Sequence, residues 1–564
     1  MKTFKPGFLP QSNNNQLLKI TPLGGVGDVT KNMYVYEYKD DIVIVDCGVG
    51  FPSESMPGVD LVIPDIGYLR DKIDKIRGIV ITHGHDDHIG GLPYIWPELQ
   101  VPIYASRLTC AFIKNKFNEA GLPKEKIVEV KIDQKLSLGN FQLSFYIVSH
   151  SIPDSMGIVL QAGDTRVIHQ ADFKIDWTPV SGQVTDVGEV ARLGKEGVDL
   201  LLIDCLRVEK EGFNKSEKSI EDTFEKASIE TEGKLLITMT SSNVSRMQQA
   251  INVALRTDRK IVVAGRSFES NFQISRDLGY LKVPAGLVVA SDAITHHNSR
   301  KLLILIAGSQ GQPGSALSRA AMGEHKQVKL KDGDAVLFSA DPIPSTESAQ
   351  SALIDDLTRI GVNVYYSAIT SDLHVSGHAA KEELRLMINL IKPKNLLPIG
   401  GTFKHMRVFS KMAQDMGYAQ NEVLLVEDGQ LVTLDHGQAK LGGLVEVQNV
   451  YVDGLGVGDI GSVVLRDRQK LSEEGIVVVV IEVDAHTGKL TAEPELISKG
   501  FVFEQTAGGI LDEAKEVLRS EINKHAHKTA DWRFLRKLVE DCLEKFFYHA
   551  TERRPLVLPV IVES

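Results

Sequence analysis

The chain has 564 residues, a formal net charge of −11 and a sequence pI near 5.9, with 43% hydrophobic and 24% charged residues. This length exceeds what one hydrophobic core serves, and the composition is that of a globular, multidomain protein rather than a fibrous or disordered one. No apolar run approaches the roughly 18 residues of a membrane span, and the N-terminus lacks a signal peptide's apolar centre. The four cysteines (Cys47, Cys110, Cys205, Cys542) have no paired spacing, which excludes a disulfide framework and points to a reducing, cytoplasmic setting.

In chain order, residues 1–15 are rich in Asn, Gln and Pro and read as a flexible tail. The loop Gly24-Gly25-Val26-Gly27 lacks the third glycine of a dinucleotide-binding fingerprint. Asp41-Ile42-Val43-Ile44-Val45 is a buried-strand run ending in Asp46-Cys47-Gly48, with Cys47 read as a buried small residue rather than a ligand. A second run, Gly78-Ile79-Val80-Ile81, ends in Thr82-His83-Gly84-His85-Asp86-Asp87-His88. Packing does not ask for such crowding of imidazoles and carboxylates, and burying any unpaired member is costly. Divalent cations remove the conflict. The spacing lets one ion take His83 and His85 while another takes Asp87 and His88, and nitrogen with carboxylate donors suits zinc.

Two further strands end the same way. Phe141-Gln142-Leu143-Ser144-Phe145 alternates apolar and polar residues and runs on to Ser149-His150. Arg166-Val167-Ile168-His169-Gln170-Ala171 leads into Asp172. An Asp or His at a strand end is by itself most often a turn residue, but with the cluster at 83–88 these form a coherent ligand set. From 210 to 370, strand runs (Leu235–Thr238, Lys260–Ala264, Ala335–Phe338) alternate with helical stretches such as 349–357, predicting an α/β domain with a parallel sheet. His374-Val375-Ser376-Gly377-His378 places hydroxyl and imidazole donors beside a glycine. Ser376 is also a candidate cap for a helix beginning at His378. Gly456-Val457-Gly458-Asp459-Ile460-Gly461 fits a dinucleotide fingerprint. The following Ser462-Val463-Val464-Leu465 reads as a strand, so this segment is expected to be a turn-rich linker. A strand over 475–481 and helices near 508–524 and 530–549 predict a small α+β end domain.

These motifs, together with Lys31-Asn32-Met33, Gly308-Ser309-Gln310-Gly311, Tyr451-Val452-Asp453-Gly454 and Arg553-Arg554-Pro555, resemble the ribonuclease J family. That family is the β-CASP branch of the metallo-β-lactamase fold, and the resemblance covers nearly the whole chain. It implies an αββα sandwich over 16–205 and 371–445, an inserted β-CASP domain over 206–370, a linker over 446–464 and a C-terminal dimerisation domain over 465–564. It further implies that His83, His85 and His150 hold one zinc, that Asp87 and His88 hold a second, and that Asp172 bridges them. Manganese or magnesium are the alternative ions. Asp46 would support a ligand from behind. Ser376, Gly377 and His374 would bind substrate phosphate, and His378 would help the leaving group depart. Asp87 and Asp172 also count as catalytic, and a hydroxide shared by the metals would be the nucleophile. The implied activity is hydrolysis of RNA, exonucleolytic from the 5′ end or endonucleolytic. The implied partners are single-stranded, 5′-monophosphorylated RNA and copies of the chain in a dimer or tetramer. Because the chain is acidic, a local basic channel is needed; Arg246, Arg266, Arg319 and Lys404 border the family's cleft and are candidates.

Several positions depart from the family pattern. Gly400 stands where the family has a His that completes the second zinc's shell, and His405 matches a different family position. Asp204-Cys205-Leu206-Arg207 replaces an Asp-Ser-Thr stretch. A His is absent from Ser241–Arg246, and Thr402 replaces an acidic residue. Three function classes therefore compete. They are a metal-dependent ribonuclease, a weakly active or inactive partner of a more active homologue, and a lactam, lactone or thioester hydrolase. The inserted domain and the Ser376-Gly377-His378 motif count against the last.

Overall fold

The computed structural model describes residues 17–53, 55–343, 346–435, 437–484, 490–502, 504–525 and 531–563, so the tail expected at 1–15 lies outside the described residues. The chain divides into two compact units, residues 17–50 with 62–449, and 51–61 with 450–563.

The first unit is built on three sheets. An eight-stranded sheet runs in the order 438–444, 430–435, 18–24, 33–38, 41–45, 76–80, 103–105, 127–129. A six-stranded sheet runs 395–399, 200–204, 165–170, 156–162, 141–147, 136–138. One apolar core joins them, taking Tyr34, Tyr36, Val43 and Val45 from the first and Phe141, Phe145, Ile158 and Ile168 from the second. The alternation read over 141–145 works as expected: Phe141, Leu143 and Phe145 are buried while Gln142 is exposed. Helices Val187–Glu196 and Lys381–Ile391 pack on each other, the former following strand 165–170 in the chain. Helix Arg107–Glu119 connects the parallel strands 103–105 and 127–129. This is the expected αββα sandwich.

The third sheet is five-stranded and wholly parallel, in the order 260–264, 302–306, 235–238, 335–338, 363–365. Its three central strands are continuous, fully buried apolar runs, as a parallel sheet covered on its faces requires, with Leu302–Ile306 buried throughout. All its strands fall between Leu200–Asp204 and Asn395–Ile399, which pair in parallel in the six-stranded sheet. The α/β domain is thus an insertion into the sandwich.

In the second unit, strands 476–483, 495–499 and 556–563 form a sheet. The inward residues Val477, Val479 and Ile481 share a core with Leu518, Leu535, Val539 and Leu543 from helices Glu504–Lys524 and Trp532–Thr551. One sequence expectation fails here. Ser462-Val463-Val464-Leu465 is not a strand but the first turn of helix Ser462–Glu474. Only Leu465 of the run is buried, while Val463 and Val464 face outward. The long Arg, Gln, Lys, Leu and Glu stretch that follows decides the element, outweighing two β-branched residues. The glycine pattern before it is no dinucleotide site, because Val450–Asp453 and Gly456–Val457 form an antiparallel hairpin rather than the start of a βαβ unit.

Candidate metal centre

The predicted side chains meet because their strands end on one side of the two sheets. Asp46 follows strand 41–45 with φ +62°, and Thr82–His88 follow strand 76–80. His150 follows strand 141–147, Asp172 follows 165–170, Asp204 ends 200–204, and Gly400 follows 395–399. The carboxyl ends of strands are where an α/β scaffold leaves its crevice.

His83 Nε2 and His150 Nε2 each lie 3.1 Å from His85 Nδ1. The opposite nitrogen of every ring is engaged. His83 Nδ1 is 3.1 Å from Thr82 Oγ1, which itself donates to Asp46; His85 Nε2 is 3.2 Å from Ser151 Oγ; His150 Nδ1 donates to the Gly377 carbonyl at 2.8 Å. The Thr82 hydroxyl, already spent on Asp46, and the Gly377 carbonyl can only accept, which fixes the tautomers of His83 and His150; with Ser151 Oγ accepting from His85 Nε2, three bare lone pairs point at one spot. Burial, and the neighbouring imidazoles, push all three pKa values down, His85 to about 4, so the rings are neutral donors at pH 7. Asp172 Oδ2 joins them at 3.6 Å from His83 Nε2 and 3.7 Å from His150 Nε2, and it is buried without any hydrogen-bond donor among the described residues. Three acceptor lone pairs and an unsatisfied carboxylate oxygen stabilise one another only around a cation. Ligands on a tetrahedral ion with bonds of ~2.0–2.1 Å stand about 3.3 Å apart, which is the spacing seen. The donor set fits a divalent metal.

The second cluster is Asp87, His88 and Asp172. His88 Nε2 lies 3.6 Å from Asp87 Oδ2, 3.4 Å from Asp172 Oδ2, and 3.3 Å from the Asn32 amide nitrogen. His88 Nδ1 donates to Asp46 Oδ2 at 2.7 Å. Asp46 also takes the Thr82 backbone NH at 2.8 Å and the Thr82 hydroxyl, so one fully buried carboxylate orients ligands of both clusters. Burial pulls His88 down, but Asp87, Asp172 and Asp46 outweigh it and hold its pKa well above normal; burial lifts Asp87 to about 6. This end of the site is built for positive charge. Gly400 borders it: a Cβ there would stand 3.5 Å from Asp204 Oδ1 and 4.0 Å from Asp172 Oδ1, in ordinary contact without a clash, with φ at +64°.

A loop closes the other side. His378 Nδ1 is 2.9 Å from Asp204 Oδ2 and 3.9 Å from Asp172 Oδ2. Burial lowers the His378 pKa, but the carboxylates of Asp204 and Asp172 outweigh it and lift it to about 9, so the ring carries its proton at neutral pH. Gly377 is required where it stands, since a Cβ would come within 2.6 Å of the His150 ring. Ser376 does not cap a helix as the sequence suggests. Its hydroxyl takes the His378 NH at 3.1 Å, and the helix starts later, at Lys381, where the buried Glu383 carboxylate takes the Ala380 NH at 2.7 Å. His374 sits at the loop's start, 3.6 Å from Asp341, its pKa held well down by burial and by the charges of Arg246 and Arg207.

Family models match along this architecture. The metallo-β-lactamase superfamily model matches residues 26–183, the ribonuclease J β-CASP domain 232–357, the Zn-dependent metallo-hydrolase RNA specificity domain 361–425, and the ribonuclease J C-terminal domain 463–564. The chain is 37% identical to "Ribonuclease J2" of Bacillus subtilis (strain 168), over 98% of this chain and 100% of that one. It belongs to the ribonuclease J family. It is also 38% identical to "Ribonuclease J 1" of Streptococcus pyogenes serotype M3, over 96% of each chain. A crystal structure of a protein of unknown function from Enterococcus faecalis V583 shares the fold, with a TM-score of 0.52 at 15% identity over 74% of this chain and all of the other.

Against the ribonuclease J pattern, the structure sorts the remaining candidates. His405 does not turn toward the His and Asp clusters; its Nδ1 lies 3.1 Å from Thr402 Oγ1, capping helix Phe403–Asp415, and its Nε2 lies 3.5 Å from Glu209. Lys404 pairs with Glu209 at 3.0 Å, and Arg266 and Arg319 are exposed. Arg246 is no channel residue, being only 1% exposed and bonded to protein groups. Asp204 is the site residue that sequence reasoning passed over. It ends a strand as Asp46 and Asp172 adjoin theirs, and that signal would have found it. The four thiols are free, and burial beside Asp46 pushes the Cys47 pKa up.

Proposed function

We propose that this protein is a zinc-dependent ribonuclease that cuts single-stranded, 5′-monophosphorylated RNA, with His83, His85 and His150 on one ion, Asp87 and His88 on a second, and Asp172 between them. The reading rests above all on the three converging imidazole lone pairs around the unpartnered Asp172 Oδ2. Bound divalent ions supply Lewis acidity and a water of lowered pKa, with manganese or magnesium as alternatives to zinc. The chain's own groups do the rest. His374, Ser376 and Gly377 hold the scissile phosphate. His378, kept protonated by Asp204, delivers a proton to the departing ribose oxygen. Asp46 holds His88 in its tautomer.

The same reading assigns 16–205 and 371–445 to the catalytic domain, 206–370 to a β-CASP domain facing it across the RNA cleft, 446–464 to a linker and 465–564 to assembly. Homodimers or homotetramers in the cytoplasm are the proposed form. The end domain's outer sheet face supports this, with Leu558, Val560 and Val562 each at least 40% exposed. Gly400 leaves the second ion with fewer protein ligands and a lower affinity, which reduces activity.

The deciding experiment follows degradation of a 5′-monophosphorylated single-stranded RNA, with and without added zinc or manganese, beside His85→Ala. Metal-dependent loss of RNA that the variant abolishes is expected. An intact RNA with every metal would overturn the reading.

A further inference from the structure

The phosphate-binding loop is suspended by its carbonyls. Leu373 O takes the Ser339 hydroxyl at 2.6 Å, Gly377 O takes His150 Nδ1 at 2.8 Å, and His378 O takes the Asn214 amide at 2.7 Å. Between them, Val375 O takes Arg246 Nη2 at 2.6 Å, while Nη1 of the same guanidinium donates to the Ser339 carbonyl. One rigid fork thus ties the loop to the end of strand 335–338 in the inserted domain.

The fork is itself anchored. Arg246 Nε lies 3.5 Å from Glu217 Oε2, Glu217 Oε1 takes Lys174 Nζ at 3.1 Å, and Lys174 Nζ lies 3.4 Å from Asp176, whose carboxylate takes the Glu217 NH at 2.9 Å. All four charged groups are no more than 2% exposed. Lys174 closes the circuit, because its backbone NH bonds to Ser149 O at 2.9 Å, next to His150, and it lies two residues beyond Asp172. Burying four charges gains little stability over an apolar core, so the network's contribution is sought in the geometry it imposes. The geometry held here is that of the loop relative to the metal-ligand turns.

We propose that Arg246 is a positioning residue: braced by Glu217 and Lys174, it sets the His374–His378 loop against the His150 and Asp172 turns through the Val375 carbonyl, without touching RNA. The proposal builds on the ribonuclease reading for its consequence, but the loop-holding claim stands apart from it. A lysine keeps the charge near Glu217 and cannot reach both carbonyls at once.

The test is Arg246→Lys in the full-length, metal-loaded protein, read by hydrogen-exchange mass spectrometry, by single-turnover cleavage and by the salt dependence of RNA binding. Amide exchange over 372–380 is expected to rise about tenfold, the loss of one well-placed hydrogen bond, with other segments unchanged. Cleavage should slow by about a hundredfold, as misplacement of a reacting group does, with KM nearly constant. The slope of log affinity against log salt should not change, whereas a lost phosphate contact would flatten it by about one. Unchanged exchange over 372–380, exchange raised uniformly across the chain, or a flattened salt slope would each overturn the proposal. Should Arg246→Lys not fold, Glu217→Gln removes the charge that braces the guanidinium while leaving Arg246 present, and a smaller rise in exchange confined to 372–380 is expected. If the parent protein leaves RNA intact, the ribonuclease reading falls while the exchange arm still decides the role of Arg246.

Discussion

The two halves of the metal centre are made differently. In the first, three imidazoles converge at 3.1 Å, each with its far nitrogen tied to a hydroxyl or a carbonyl. These hydrogen bonds set the directions of the rings and, for His83 and His150, the tautomer. In the second, one imidazole faces two carboxylates, and the strand end that faces them carries Gly400 with no side chain to offer. The first half is organised by hydrogen bonds and holds neutral donors. The second is organised by charge and relies on Asp172, which it shares with the first. The first half therefore depends on the hydrogen-bond partners behind its rings, and the second on a carboxylate it does not own.

The comparison breaks most completely at Asp172. Asp172→Asn removes the carboxylate common to both clusters, so on the two-ion reading proposed above, elemental analysis of the purified protein should find both ions lost and RNA cleavage abolished. A protein still carrying one full equivalent would show the first cluster to be self-sufficient. A smaller effect is expected at Asp46. Asp46→Asn weakens the acceptor of His88 and Thr82, and metal affinity should fall about 10- to 100-fold, more at the second ion than the first, in a calorimetric titration. Equal weakening at both clusters would mean that Thr82 transmits the effect to His83 as strongly as Asp46 acts on His88 directly. The smallest change sharpens the contrast rather than removing it. Gly400→His places an imidazole beside Asp172 at a backbone φ that His tolerates better than most residues. Tighter binding of the second ion by about tenfold, or ~1.4 kcal/mol, is expected. Unchanged metal content and cleavage would detach position 400 from the second ion.

Much of this was legible from residues alone, for identifiable reasons. Strands buried on both faces are written as unbroken apolar runs, so Asp41–Val45, Leu235–Thr238 and Lys260–Ala264 read at their true boundaries. Ligands crowd the ends of such runs, so His83, His85, His88, His150 and Asp172 stand out before any fold is known. What did not read is what depends on distant partners. Arg246 looks like any surface arginine until Glu217, Ser339 and Val375 surround it. Thr82 looks like a strand-end residue until its hydroxyl is found between Asp46 and His83. Ser462-Val463-Val464-Leu465 misleads because local propensity over the next turns, not the first four residues, sets the element.

The pairing of strand Asn395–Ile399 with Leu200–Asp204 has a consequence for how the chain is made. On the ribosome, the strand that will carry Gly400 emerges only after the whole parallel-sheet domain between them. The His83, His150 and Asp172 turns are synthesised long before the sheet edge beside them can close. The sandwich therefore closes late, since strand 18–24 also waits for strand 430–435, whereas every strand of the inserted domain has been synthesised before strand 395–399 appears. Until that last strand docks, the open edge of Leu200–Asp204 is an unpaired apolar strand. In the nascent chain, this edge is where misassembly would begin.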